Sequence, residues 1–164
     1  QLTGPLLFVL LDHPPWTGPW VVMVQKEVAD RLCSPPGSRA YGGVTAVMSR
    51  VRAVTRVCAA PRGCFLPPPR VDSAVIRLEA HPQPRGDVGD VHGFQQLVRA
   101  AFQQRRKVLS NALTSLAGRD AALRWCAVAG VDPGIRPERL GPEEFAALQR
   151  AREAEGASSD AGAA

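Results

Sequence analysis

Cys64-Phe65-Leu66-Pro67-Pro68-Pro69-Arg70-Val71-Asp72-Ser73-Ala74-Val75 places an aromatic ring beside three consecutive prolines and then runs straight into an alternating apolar stretch. Each proline fixes its own φ, and a tripeptide locked near polyproline II loses little entropy on ordering. The segment therefore reads as a stiff loop that holds Phe65 at a set height above the end of a sheet. A ring held in this way is a stacking platform, the device with which base-modifying enzymes sandwich an extruded base. A core phenylalanine that merely anchors a proline loop fits the same residues equally well.

Outward from this loop the periodicity is first that of strands. Residues 71–80 alternate, with Ala74, Ile76, Leu78 and Ala80 on a common face. Residues 51–59 are β-branched and alternate too, with Arg52 and Arg56 on one face and Val51, Ala53, Thr55 and Val57 on the other. The continuous apolar run Trp20-Val21-Val22-Met23-Val24 suits a parallel strand buried on both faces. Helices are expected at 5–11, before the prolines at 14, 15 and 19, at 26–33, before Pro35-Pro36-Gly37, and at 41–49, where Gly42 and Gly43 weaken the pattern.

Residues 81–93 contain two prolines, three glycines and three charges, and read as a linker. Beyond them the period becomes helical. Phe94, Leu97, Val98, Ala101 and Phe102 form one stripe, and Val108, Leu109, Ala112, Leu113 and Leu116 a second, with Arg105-Arg106-Lys107 at the junction. Asp120 is expected to N-cap a helix that Gly130 ends, and Pro142 with Glu143 and Glu144 to open the last one. Residues 151–164 are small-residue-rich and are expected to be disordered. Strands with helices, then helices alone, point to an α/β unit followed by a helical one.

The 164 residues are 45% hydrophobic, enough for a core of one domain or two small ones. No apolar run approaches the roughly 20 residues that span a bilayer, and the start lacks a signal-peptide layout, so a cytoplasmic location is expected. Cys33, Cys58, Cys64 and Cys126 show no metal-ligand spacing, and His13, His81 and His92 do not pair with them; free buried thiols and no metal are expected. The formal charge of +5 is segregated. No acid separates Asp30 from Asp72, a stretch with seven arginines, and none lies between Phe94 and Arg119. Two such blocks produce a positive field that favours a polyanion such as RNA, although each arginine taken singly is equally at home on a solvated face.

The aromatic–proline loop resembles the late motif of the ribosomal RNA adenine dimethyltransferases, the 16S rRNA enzymes of kasugamycin sensitivity. Three further segments resemble that family in the same order: Val24-Gln25-Lys26-Glu27-Val28-Ala29-Asp30-Arg31-Leu32, the stretch Ala101-Phe102-Gln103-Gln104-Arg105-Arg106-Lys107-Val108-Leu109-Ser110-Asn111-Ala112-Leu113, and Val131-Asp132-Pro133-Gly134-Ile135-Arg136-Pro137-Glu138-Arg139-Leu140 with Glu143-Glu144-Phe145. The resemblance runs from Leu2 to about Leu148 and covers the family's C-terminal part. It implies an α/β fold, the C-terminal portion of a Rossmann-like S-adenosylmethionine-dependent methyltransferase domain (1–81), then a linker (82–93), a small all-α rRNA-binding domain (94–150) and a disordered tail (151–164).

The same resemblance implies transfer of methyl groups from S-adenosylmethionine to the exocyclic amines of two adjacent adenines near the 3′ end of 16S rRNA, in the small ribosomal subunit. That amine is a weak nucleophile, and the family orients it with an Asn-(Leu/Ile)-Pro-Tyr motif. Neither this motif nor the family's glycine-rich cofactor turn is found here, so a fragment is expected, inactive alone and without cofactor-binding residues of its own. Phe65 would stack on the target adenine, and Arg70, Arg105, Arg106 and Lys107 would contact RNA; the complete protein is expected to be a monomer. Gln25, Lys26 and Glu27 are most simply helix-start residues, and Asp72 and Ser73 structural. A non-enzymatic RNA-binding or ribosome-assembly module, or a 23S rRNA methyltransferase of macrolide resistance, are the alternatives. The unpartnered run at 20–24 further predicts a chain prone to associate.

Overall fold

The computed structural model describes residues 18–104 and 106–161; the expected helix at 5–11, the prolines at 14 and 15, and Arg105 lie outside them. Three strands, β1 (Trp20–Gln25), β2 (Arg52–Ala60) and β3 (Ser73–Ala80), form a sheet in the order β1-β3-β2. β3 runs antiparallel to both neighbours, pairing Ser73 with Gln25 on one side and with Ala60 on the other. That register gathers the end of β1, the end of β2 and the start of β3 at one edge of the sheet, where the aromatic–proline loop is also rooted.

The parallel, doubly buried strand expected at Trp20–Val24 is corrected. β1 is an antiparallel edge strand among the described residues, and Val21 and Met23 are 63% and 54% exposed. Only its other face is covered. There Val24 joins Ala74, Ile76 and Leu78 of β3, Ala29 and Leu32 of α1 (Lys26–Leu32), and Met48 of α2 (Gly43–Val51) in one apolar cluster.

On β2 the arginine-bearing face is covered at Arg52 and partly at Val54, while Arg56 is exposed. Arg52 is buried, donates to the carbonyls of Gly18 (3.1 Å) and Leu78 (3.4 Å), and lays its guanidinium over the Trp20 ring at 3.4 Å. Hydrogen bonds and a cation–π contact thus satisfy a cation that alternation alone would send to solvent.

The helical part comprises α3 (Val91–Gln103), α4 (Leu109–Ala112), α5 (Thr114–Ala129) and α6 (Pro142–Ala161). Both expected stripes face inward: Phe94, Leu97 and Ala101 from α3 and Leu109, Ala112 and Leu113 around α4 are buried. Asp90 caps α3 by accepting from the His92 and Gly93 amides, each at 2.9 Å. Gly130, at φ 67°, ends α5 in the left-handed region, as expected. Asp120 does not cap α5. The axis breaks at Ala117–Gly118, so Asp120 falls inside the first turn of the second segment.

Two segments read from sequence as unstructured carry regular contacts or helix. Residues 82–93 are packed rather than a free linker: Val88 is buried, Arg85 pairs with Glu143 at 2.6 Å, and Gly86 accepts from Arg50 Nε at 3.2 Å. The disordered tail expected from Ala151 is helical to Ala161. Glu155 explains this, since it accepts from the Trp125 indole and pairs with Arg124, fastening the added turns to α5. Tyr41 and Val47 belong to the helical cluster while Met48, next in sequence, belongs to the sheet cluster, so α2 is shared by both. Cys58 and Cys64 are exposed, against the expectation of buried thiols; Cys126 is buried and all the cysteines are free. No helix of the described residues is long and apolar enough to cross a membrane.

Candidate functional site

The site is built on the β2–β3 connection. After Ala60 the chain makes a 3-10 turn at Arg62–Cys64, held by Cys64 N–H donating to the Pro61 carbonyl at 2.9 Å. Phe65 leaves this turn extended, and the Leu66–Pro67 peptide is cis. Phe65 is half-buried while Leu66 is 98% exposed, and the loop lies outside both apolar clusters.

Asp72 closes the loop. Its carboxylate accepts from Arg62 N–H at 3.0 Å, and its backbone carbonyl accepts from Lys26 N–H at 2.9 Å. One residue therefore ties the entrance of the loop, its exit and the β1–α1 junction together. This is the structural role expected of Asp72. It brings Gln25, Lys26 and Glu27 beside Arg62, Arg70, Val71 and Asp72, around an open cleft of about 440 Å³. The cleft lies at the C-terminal end of β1.

The arginines of the first acid-free block divide into distinct groups. Arg52 is buried, as above, and Arg50 lies 5.5 Å over the Phe94 ring. Arg31 pairs with Glu27 at 2.9 Å, and Arg56 pairs with Asp30, which also holds Lys26 at 2.8 Å. Hydrogen bonds from Lys26 and then from Arg56 hold the Asp30 carboxyl below its ordinary 3.8. Arg62 and Arg70 are exposed and make no ion pair among the described residues. Sequence reasoning singled out Arg70; Arg62 was visible only as one member of the block, and its place three residues before Phe65 was the available signal.

A second basic surface lies between α3 and α4. Lys107 N–H donates to the Gln104 carbonyl at 2.8 Å, turning the chain so that Arg106 and Lys107 face solvent. They line a broad depression of about 950 Å³ with Phe102, Gln103, Val108 and Asn111. The junction expected at 105–107 is present, although Arg105 is outside the described residues. None of the residues lining the Arg62–Arg70 cleft lines this depression, and Phe65 lines neither, so among the described site residues Arg70 stands apart from Arg106 and Lys107.

Together these groups can stack on a planar ring and hold polyanion charge. No cluster of metal-ligating side chains occurs among the described residues. Among the described residues β1 passes directly into the helix that begins at Lys26, with no glycine-rich turn between them.

Residues 1–149 match the family model described as ribosomal RNA adenine dimethylase. Among curated proteins, the chain is 42% identical over 149 residues to the ribosomal RNA small subunit methyltransferase A of Syntrophotalea carbinolica, covering 90% of this chain and 56% of that protein. It is 43% identical over 155 residues to the protein of the same name from Bacillus mycoides, covering 92% and 53%. The chain thus spans about half the length of the curated relatives it matches. Among solved structures, a dimethyladenosine transferase from Plasmodium falciparum superposes with a TM-score of 0.76 at 25% identity, covering 94% of this chain and 64% of that one. The 23S rRNA methyltransferase ErmE shares the fold, at a TM-score of 0.62 and 20% identity.

Proposed function

Because the chain belongs to the ribosomal RNA adenine dimethylase family, we propose that it forms the substrate-holding share of an S-adenosylmethionine-dependent enzyme that dimethylates two adjacent adenines near the 3′ end of 16S rRNA. The observation that carries this reading is the half-buried Phe65 on a proline loop rooted where β1 ends. The target adenine stacks on Phe65, and Arg70 and the 105–107 junction hold the RNA backbone of the small subunit. The helices from α3 onward form the all-α, rRNA-gripping C-terminal domain of a cytoplasmic, monomeric enzyme. Arginine suits this work because its planar guanidinium binds phosphate through paired hydrogen bonds. Binding of the methyl donor falls to none of the described residues.

The test is methyl transfer from radiolabelled S-adenosylmethionine to undermethylated small subunits. This chain is compared with a chimaera in which it replaces the aligned segment of the Syntrophotalea carbinolica relative. Activity is expected in the chimaera and not in the chain alone. Phe65→Ala in the chimaera should cost on the order of 1–3 kcal/mol of base stacking. Unchanged methylation by that variant would refute the stacking role, and a silent chimaera that still binds the subunit would favour an RNA-binding assembly module.

A further inference from the structure

We propose that the cleft between the foot of the aromatic–proline loop and the β1–α1 junction is a phosphate subsite, in which Arg62 and Arg70 grip the backbone phosphate flanking the base stacked on Phe65. The inference rests on the proposed function and adds to it a named clamp and a single phosphate.

Charge accounting around the cleft supports it. Glu27 is taken by Arg31, Asp30 by Lys26 and Arg56, and the Asp72 carboxylate by the Arg62 backbone amide. Of these acids only Asp72, bound by a neutral amide, keeps an uncompensated charge, and the Arg62 and Arg70 side chains line the cleft without an ion pair among the described residues. Two guanidinium side chains that line one cleft can both donate to a phosphate, and Lys26, shared with Asp30, lines it as well. The arrangement is also pre-organised. Asp72 fixes the Arg62 backbone, and Pro67, Pro68 and Pro69 restrict the approach to Arg70, so little backbone freedom remains to be lost on binding. Arg62 stands three residues before Phe65 and Arg70 five after it, on the same loop.

The experiment is an anisotropy titration of this chain with a short 2′-O-methyl oligoribonucleotide bearing two adjacent unpaired adenines. It is repeated with each phosphate in turn replaced by a neutral methylphosphonate. One position should lose ~10-fold in affinity, the scale of a charge-assisted hydrogen bond. Arg62→Ala should lose a similar ~10-fold against the all-phosphate strand and nothing further at that position, while flattening the salt slope by about 0.7. Arg62→Lys, equally exposed and charged, should recover part of the loss. Losses that multiply at every position, or no binding by the unaltered chain, overturn the subsite. Coupling that persists while Phe65→Ala leaves binding and the chimaera's methylation unchanged upholds the phosphate clamp and removes the stacked base from its description.

Discussion

Asp30 shows how much one carboxylate organises at the rim of the site. It receives Lys26 from its own helix, one turn earlier, and Arg56 from β2, so it joins α1 to the sheet beside the Arg62–Arg70 cleft, which Lys26 also lines. Hydrogen bonding to Lys26, then to Arg56, lowers its folded pKa below the ordinary 3.8. A depressed carboxylate contributes stability that is present above the unfolded value and lost as pH falls through the folded one. Asp30→Asn should therefore be less stable than the parent near neutral pH, with the gap closing as pH drops below 3.8 and vanishing beneath the folded pKa. Urea midpoints measured across that range decide it; a gap independent of pH would mean that the ion triad is not its source.

The glycines of α5 separate two kinds of backbone demand. Gly118 sits at φ 84° and ψ 171° inside the helix break, whereas Gly130 ends the helix at φ 67° and ψ 27°. Neither would place an added Cβ within 4 Å of a neighbour, so substitution reports on the backbone alone. The first conformation is open essentially to glycine only, at a cost of about 1–3 kcal/mol for other residues, while the second is the left-handed helical region that asparagine tolerates. Gly118→Asn should accordingly shift the urea midpoint well down, and Gly130→Asn hardly at all; equal shifts would contradict this assignment.

The same helix marks how far elements were legible. Gly130 carries a recognisable stop signal because a C-terminal glycine acts locally. The break at Ala117–Gly118 left no comparable sign, since the stripe through Leu113 and Leu116 continues smoothly towards it. On β2 the alternation was legible, but not which face is covered, because the carbonyls and indole that stabilise buried Arg52 come from Gly18, Leu78 and Trp20, distant in sequence. The Phe65 loop was readable for the opposite reason: its rigidity is written into consecutive prolines. Its neighbourhood with Lys26 depends on Asp72 joining segments that sequence separates.

At the scale of the whole molecule, two apolar clusters meet through α2, which sends Val47 into one and Met48 into the other. The helical cluster is closed, with Phe94, Leu97, Leu140 and Phe145 all essentially inaccessible. The sheet is less well covered. β1 is its edge among the described residues, and Val21 and Met23 project from the face opposite Val24. Register sets Met23 against Val75, so the apolar area continues inward from the edge. An extended edge with unpaired backbone groups and apolar side chains is a template for another strand. The chain is expected to associate as its concentration rises, with sedimentation coefficients growing through the micromolar range. Val21→Lys with Met23→Lys places two charges where a second edge would have to approach, leaves the Val24 side of β1 intact, and should keep the protein monomeric with unchanged far-ultraviolet circular dichroism. A parent chain that sediments as a monomer and melts in one sharp transition would refute association through β1, and an equally associated double variant would move the contact elsewhere on the surface.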